Sequence, residues 1–158
     1  MDWFLELLMN PFLISGISGW LVAQVVKTVI HAVIHKKIDW ERLVGDGGMP
    51  SGHSATVTAI CVMSLLCYGP GSFEFAISAI LAIIVCHDAM GVRLQAGKHA
   101  VILNEIVEAF NALTEDKLPE TKLKEFVGHT PIQVIAGVMV GAAEALILYF
   151  WLFQPAGL

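Results

Sequence analysis

Two histidines, each next to glycine and small polar residues, are the side chains in this sequence best suited to chemistry. His53 lies in the octet GGMPSGHS, residues 47–54, directly before an apolar stretch. Glycines let the backbone approach a ligand, and a helix N-terminus offers free N–H groups and the positive end of the helix dipole. The octet therefore predicts a phosphate cradle with a histidine in the first helical turn, or else a loop and a serine-capped helix with an interfacial His53.

The second histidine, His129, precedes the last apolar stretch in the segment GHTPIQVIAG, residues 128–137. Gln133 follows one helical turn later, so that its amide could hydrogen-bond the imidazole. On its own, His129 is either a catalyst or an interfacial side chain. The sequence leaves both roles open at this point.

Charged residues occur at the ends of two other apolar stretches. Asp88 and Arg93 stand in HDAMGVR, residues 87–93, and form either an ion pair within a helix bundle or part of a site. Lys27 stands near the end of the first apolar stretch, where its ammonium either enters the same site or extends to the lipid headgroups.

The composition places these residues in a membrane protein. Of 158 residues, 56% are hydrophobic and 15% are charged, and the mean hydropathy is +0.73; these values exclude an ordinary water-soluble enzyme. The net charge of -5 and the lack of a long Lys/Arg run argue against a nucleic-acid partner. We expect one all-α, membrane-embedded domain over residues 1–158.

Four stretches are long enough to cross a hydrocarbon core about 30 Å thick. They run from about Pro11 to Ile34, Ser51 to Tyr68, Phe73 to Met90, and Pro131 to Phe153. The residues before Pro11 are expected to belong to the first membrane element. Small residues in the last stretch favour close helix packing and permit a homodimer without requiring one.

The segment from Lys98 to about Leu113 has a different pattern. Its apolar residues recur at helical spacing opposite asparagine and glutamate, which is typical of an amphipathic helix rather than a span. Such a helix lies in the membrane interface or packs on the spans. The predicted architecture is thus a polytopic helix bundle with four spans and one amphipathic helix.

Positive charges set the predicted orientation. All nine Lys and Arg residues lie around two connections, one between the first and second spans and one between the third and fourth. The positive-inside rule places both connections in the cytoplasm and both termini outside. Lys27, His53, Asp88, Arg93 and His129 then lie at the cytoplasmic ends of the four spans.

This convergence points to phosphoryl transfer. Cationic side chains neutralise phosphate oxygens, one imidazole attacks phosphorus, and another protonates the leaving oxygen. We find no convincing metal-ligand set among the His, Cys, Asp and Glu residues of the sequence.

The motifs also resemble a known superfamily. PSGH, residues 50–53, matches a motif of the type 2 phosphatidic acid phosphatases and vanadium haloperoxidases, and HTPIQV, residues 129–134, looks like their later HxPxDV stretch. The ordered set GGMPSGHSA, DAMGVRLQAGKHA and GHTPIQVIAG resembles the divergent PAP2 branch of small membrane proteins. The resemblance extends from about Gly19 to Gly141.

That resemblance implies a two-step phosphomonoesterase that needs no metal or other cofactor. His129 would be the nucleophile that forms a phosphohistidine, and His53 would be the general acid. Ser51 and Gly52 would bind phosphate, and Lys27 would stand for the lysine of the family's first motif.

Three departures from the family pattern are visible. No Arg-Pro follows Lys27 at the usual interval, no arginine lies just upstream of His129, and Gln133 replaces the acid that should orient the nucleophile. Lys124 or Arg93 is expected to supply the missing cation, and Asp88 the missing acid.

The expected function is a lipid-phosphate phosphatase of the cell membrane whose pocket faces the cytoplasm. A phospholipid or prenyl phosphate, such as phosphatidylglycerophosphate or polyprenyl phosphate, fits that orientation. One alternative is a phosphate- or lipid-binding membrane protein that has lost turnover, which Gln133 favours. Another is a small transporter or assembly subunit, for which Glu144 in the last span is the best support, although Glu144 can also bond a neighbouring helix.

Overall fold

Within the described residues, every regular element of the computed structural model is helical. The described residues are 2–37, 47–114, 118, 122–123 and 128–154. The α-helices are α1 (Asp2–Leu8), α2 (Pro11–His35), α3 (Gly52–Tyr68), α4 (Phe73–Met90), α5 (Val92–Leu113) and α6 (Pro131–Leu148), and a π-helical turn, Tyr149–Phe153, continues α6. The prediction of an all-α membrane bundle is confirmed.

Helix α2 begins at a capped turn. The Asn10 side chain accepts hydrogen bonds from the backbone N–H groups of Phe12, at 2.9 Å, and Leu13, at 3.2 Å, and Pro11 occupies the first turn, where its missing N–H costs nothing. The residues before Asn10 consequently form the separate seven-residue helix α1. The start of the first span at Pro11 agrees with the sequence prediction, and the expectation that the preceding residues belong to the first membrane element stays a prediction.

In the part of the chain that the structure describes, three helical stretches are long and apolar enough to cross a membrane: Pro11–His35, Phe73–Leu113 and Pro131–Phe153. The second of these comprises α4 and α5, which are divided at Gly91. The apolar helix α3 is shorter, with 17 residues, or about 25 Å at the α-helical rise. The number of crossings, predicted as four, stays a prediction.

Helix α3 is the central helix of the bundle, in contact with α2, α4 and α6. Its small and flexible side chains, Ala55, Ala59 and Met63, are fully buried. On the outer helices, by contrast, large apolar side chains such as Ile83 and Met139 are exposed. Apolar side chains facing outward around a buried centre are what a lipid environment requires.

Glycines bring α6 into direct backbone contact with α3. A Cβ atom on Gly141 would lie 2.2 Å from the Ala55 carbonyl oxygen, and one on Gly137 would lie 2.4 Å from that of Ser51. No side chain larger than hydrogen fits at either position without moving a helix. The small-residue face expected in the last span is therefore used for packing on α3.

Helix α5 begins at Val92, six residues before the predicted start at Lys98. The reason is that the break between α4 and α5 lies at Gly91, and the residues between Gly91 and Lys98 suit a helix. Among the helices it mainly contacts α4, and its apolar side chains, including Ile106 and Phe110, are exposed. This exposure favours the interfacial position over packing on the spans.

Candidate active site

A glycine next to His129 fixes its place against the junction of α4 and α5. Gly128 has φ +89°, and a Cβ atom there would lie only 2.3 Å from the backbone nitrogen of Leu94. This close approach lets the His129 backbone N–H donate to the Ala89 carbonyl at 3.0 Å. The imidazole is consequently buried, with 4% of the residue exposed.

Gln133 contacts both the imidazole and the backbone that precedes α6. Its Oε1 accepts a hydrogen bond from the Thr130 N–H at 3.0 Å and lies 3.4 Å from His129 Nδ1. Because a carbonyl oxygen has no proton to give, this contact requires the proton to be on Nδ1. The Nε2 atom then carries the lone pair of a nucleophile or base.

The beginnings of α3 and α6 are tied together by a backbone hydrogen bond. The Ser51 N–H donates to the Gln133 carbonyl at 3.0 Å, and the Ser51 hydroxyl caps α3 by accepting from the Ser54 N–H at 3.3 Å. This bond brings His53 close to His129. His53, exposed in the first turn of α3, has its ring centroid 6.5 Å from that of His129.

The glycine-rich turn before α3 packs on two side chains of α2. Gly48 has φ +87°, and its position lies close to the aliphatic stem of Lys27, with an added Cβ 3.3 Å from Cγ and Cδ. Lys27 is only 4% exposed. Gly52 lies against the Trp20 indole, and a Cβ atom added at Gly52 would lie 3.2 Å from Trp20 Cδ1. The Met49–Pro50 peptide bond in this turn is cis.

The surroundings of His129 favour its neutral form. Burial lowers the pKa of this imidazole, and the positive charges of Lys27, His53 and Arg93 lower it further, while the hydrogen bond to Gln133 raises it. The net pKa lies below the ordinary histidine value. A neutral imidazole is the form that can attack phosphorus.

Asp88 and Arg93 form an ion pair across the α4–α5 break. Arg93 Nε donates to Asp88 Oδ2 at 2.9 Å, and both side chains are about half exposed. The hydrogen bond described for the His129 ring is with Gln133, whereas the one described for the Asp88 carboxylate is with Arg93. Asp88 therefore lies next to Arg93 at the edge of the site, whereas Gln133 occupies the position of the orienting group. Lys124 lies outside the described residues.

Gly128 and Ala89 had no predicted role, and Gly48 was expected only as one of the glycines of the phosphate cradle. Ala89 contributes a carbonyl group, which a sequence does not distinguish from any other. The two glycines offered a signal, because each lies within a quoted motif and each adopts a positive φ. Their role is to bring backbone close to α5 and to Lys27.

The fold and the site together define an α-helical membrane protein in which a histidine in the first turn of α3 and one just before α6 meet near one end of the bundle. The chain belongs to the Divergent PAP2 family, whose family model matches residues 8–144. It is similar to "Uncharacterized membrane protein YuiD" of Bacillus subtilis (strain 168), with 40% identity over an alignment of 158 residues. The alignment covers 94% of this chain and 100% of the relative. No solved structure matches the chain.

Proposed function

We propose that this protein is a membrane phosphatase that hydrolyses a lipid phosphomonoester through a phosphohistidine intermediate on His129. The observation that carries the proposal is the pairing of His129 with His53. These residues come from distant parts of the sequence, one in the first turn of α3 and one just before α6, yet their ring centroids are 6.5 Å apart. Membership of a family related to phosphatases supports the same chemistry.

The first step uses His129 as the nucleophile. Its Nε2 lone pair attacks phosphorus and the bond between phosphorus and the lipid oxygen breaks, while His53 gives that oxygen a proton. In the second step His53 takes a proton from water, whose oxygen attacks the phosphohistidine and releases inorganic phosphate. Both histidines then return to their starting protonation states.

Cationic and N–H groups around the histidines suit the charge of a phosphate. Lys27 and Arg93 act electrostatically on His129, and the first turn of α3, beginning at Gly52, presents the positive end of its dipole. These groups would stabilise the additional negative charge on the equatorial oxygens in the transition state. Gln133 orients the imidazole but, being neutral, stabilises its developing positive charge less than a carboxylate would.

The substrate is proposed to be a lipid whose phosphate is presented on the cytoplasmic face of the cell membrane. Basic residues near this end of the bundle, including Lys36, Lys37 and Lys98, support that orientation by the positive-inside rule. Phosphatidylglycerophosphate is the preferred candidate and polyprenyl phosphate the second.

Phosphate release by the purified protein tests the proposal. The panel contains phosphatidylglycerophosphate, polyprenyl phosphate and phosphatidic acid, each with and without a chelator. Release that the chelator does not affect is expected with at least one lipid. His129→Ala should abolish release, and His53→Ala should slow it by about 10²–10⁴-fold, most severely for poor leaving groups.

His99→Ala is the matched control, because His99 is an exposed histidine of α5 that has no part in the proposed chemistry. It should retain wild-type activity. Full activity in His129→Ala would exclude the mechanism. Saturable binding of a lipid phosphate by wild-type protein without release would instead identify a binding protein that has lost turnover.

A further inference from the structure

A carboxyl group lies inside the bundle, far from the two histidines. Glu144 is on α6, 13 positions after Pro131, which places it about 20 Å along the helix from the end that carries His129. The residue is 8% exposed. An ionisable side chain at such a depth in a membrane helix needs a partner or a proton.

Two serines of α2 contact this carboxyl group, and one of them also contacts a backbone carbonyl of α3. Ser18 Oγ is hydrogen-bonded to Glu144 Oε1, and Ser15 Oγ lies 3.4 Å from Oε2. Each hydroxyl also has a backbone acceptor within reach. Ser18 Oγ lies 2.6 Å from the Ile14 carbonyl oxygen, and Ser15 Oγ lies 3.2 Å from that of Ala59.

Counting protons determines the charge of this cluster. A serine hydroxyl has one proton to donate, and the 2.6 Å contact between Ser18 and the Ile14 carbonyl needs that proton. The bond between Ser18 and Glu144 then lacks a donor unless Glu144 itself carries a proton. If Glu144 were ionised, the single proton of Ser18 could serve only one of these two contacts, and the other would have no hydrogen between its oxygen atoms.

We propose that Glu144, Ser15 and Ser18 form an intramembrane proton-binding site in which Glu144 is a neutral acid at neutral pH. Glu144 donates its proton to Ser18 Oγ, Ser18 donates to the Ile14 carbonyl, and Ser15 donates to Ala59 or to the free oxygen of Glu144. Among the described residues, the hydrogen-bond partners of this carboxyl group are the Ser15 and Ser18 hydroxyls of α2, and none is a charged side chain.

The site is reached from the lipid side. A cleft of about 430 Å³ between α2 and α6 is lined by Glu144, Ser18 and apolar residues that include Val22, Val140 and Ile147. Ile147 is itself 60% exposed on the outer surface. An apolar molecule dissolved in the membrane can therefore approach the carboxyl group through a cleft whose lining suits it.

Infrared spectroscopy measures the protonation state directly. The difference spectrum between wild-type protein and Glu144→Gln at pH 7 should show the loss of a protonated carboxyl C=O band. Glu74→Gln is the matched control, because Glu74 is exposed in the first turn of α4 and should show the loss of a carboxylate band. A carboxylate band for Glu144 would overturn the proposal.

Thermal unfolding of the same variants gives a second readout. Glutamine has the shape and the donor–acceptor pattern of a neutral glutamic acid, so Glu144→Gln should unfold near the wild-type temperature, while Glu144→Ala should unfold at a lower one. An equal loss in both variants would show that the hydroxyls bind a carboxylate and would contradict the neutral form.

Chemical labelling of the wild-type protein needs no variant to fold. Carbodiimides add to protonated carboxyl groups, with the acid proton going to a carbodiimide nitrogen and the carboxyl oxygen bonding to its carbon. A membrane-soluble carbodiimide should modify Glu144 at neutral pH, and a water-soluble one should not. Absence of Glu144 modification by the membrane-soluble reagent would overturn the proposal.

Discussion

The imidazole of His129 is held in the neutral state by two different physical effects. Burial removes the water that would solvate an imidazolium ion, and the charges of Lys27, His53 and Arg93 oppose a further positive charge. Since the pKa is lowered, the neutral nucleophile persists as the pH falls through the ordinary histidine range. Activity that depends on this form should be lost only at a pH below that range.

Gln133→Glu should raise turnover and move the acidic limb of the pH–rate profile to a higher pH. A carboxylate one turn after His129 can accept the same two hydrogen bonds and would stabilise the imidazole as it becomes positive. Each ~1.4 kcal/mol recovered in the transition state gives a tenfold rate increase. The same carboxylate raises the pKa of His129, so the neutral base is lost at a higher pH. Initial rates of phosphate release across pH measure both effects.

Gln154→Glu is the control for this change. It adds the same charge at an exposed position beyond the opposite end of α6 and should leave both the rate and the pH profile unchanged. Asp88→Asn should affect the rate through Arg93, its ion-pair partner. It should not move the acidic limb of the pH–rate profile to a higher pH. A Gln133→Glu protein with wild-type turnover and pH dependence would show that this position does not act on the nucleophile.

The sequence was informative about the side chains of the site and less so about the backbone that holds them. PSGH and HTPIQV indicated His53, His129 and Gln133 by motif and spacing. The bond from His129 to the Ala89 carbonyl joins residues 40 positions apart through groups that every residue has, so no pattern of residue types reveals it. For Asp88 the sequence left two roles open, and the structure places it beside Arg93.

At the scale of helices, the contact between α3 and α6 determines how the two histidines meet. Gly137 and Gly141 lie one turn apart on α6 and let the backbones touch. Because Ser51 caps α3 and His53 lies in its first turn, a shift of α6 away from α3 would also separate His129 from His53. Packing in the bundle and geometry at the site are therefore coupled.

Gly141→Ala should destabilise the protein and lower activity together. The added methyl group would lie 2.2 Å from the Ala55 carbonyl oxygen, and overpacking of this kind typically costs about 1–3 kcal/mol. Thermal unfolding in detergent should occur several degrees below the wild-type temperature. Gly71→Ala is the matched control, since no atom lies within 4 Å of the added methyl group; equal unfolding temperatures for the two variants would contradict the proposed packing.

The helices themselves were largely predictable from the sequence, because long apolar runs between glycine and proline residues determine them. The first span was expected to begin at Pro11, and α2 begins there. A difference arose at Gly91, the helix break that allows α5 to begin at Val92 rather than at Lys98. The burial of α3 among three helices was not apparent, because its composition resembles that of its neighbours.

At the scale of the whole molecule, the distribution of charge predicts the orientation in the membrane. The test uses single cysteines introduced into a protein without the three native cysteines. A cysteine introduced by Lys36→Cys should react with a membrane-impermeant thiol reagent only from the cytoplasmic side. One introduced by Gly71→Cys, in the turn between α3 and α4, should react only from outside. Labelling intact cells and inverted vesicles distinguishes the two faces.

The cysteine-free parent protein is the control for background labelling. Reaction of Gly71→Cys from the cytoplasmic side would reverse the orientation and place the histidines outside. The proposed substrate would then have to be a lipid whose phosphate is exposed on that outer face.

Detection of the phosphorylated enzyme shows whether His129 is the nucleophile. Wild-type protein is mixed with a lipid phosphomonoester that it hydrolyses, labelled in the phosphoryl group, and is then denatured in alkali, where phosphohistidine survives. The proposed mechanism requires a base-stable, acid-labile phosphate on the peptide that contains His129, present with His99→Ala and absent with His129→Ala. A hydrolytically active preparation that carries its phosphate on another residue, or in which His129→Ala is labelled as strongly as wild type, would contradict it.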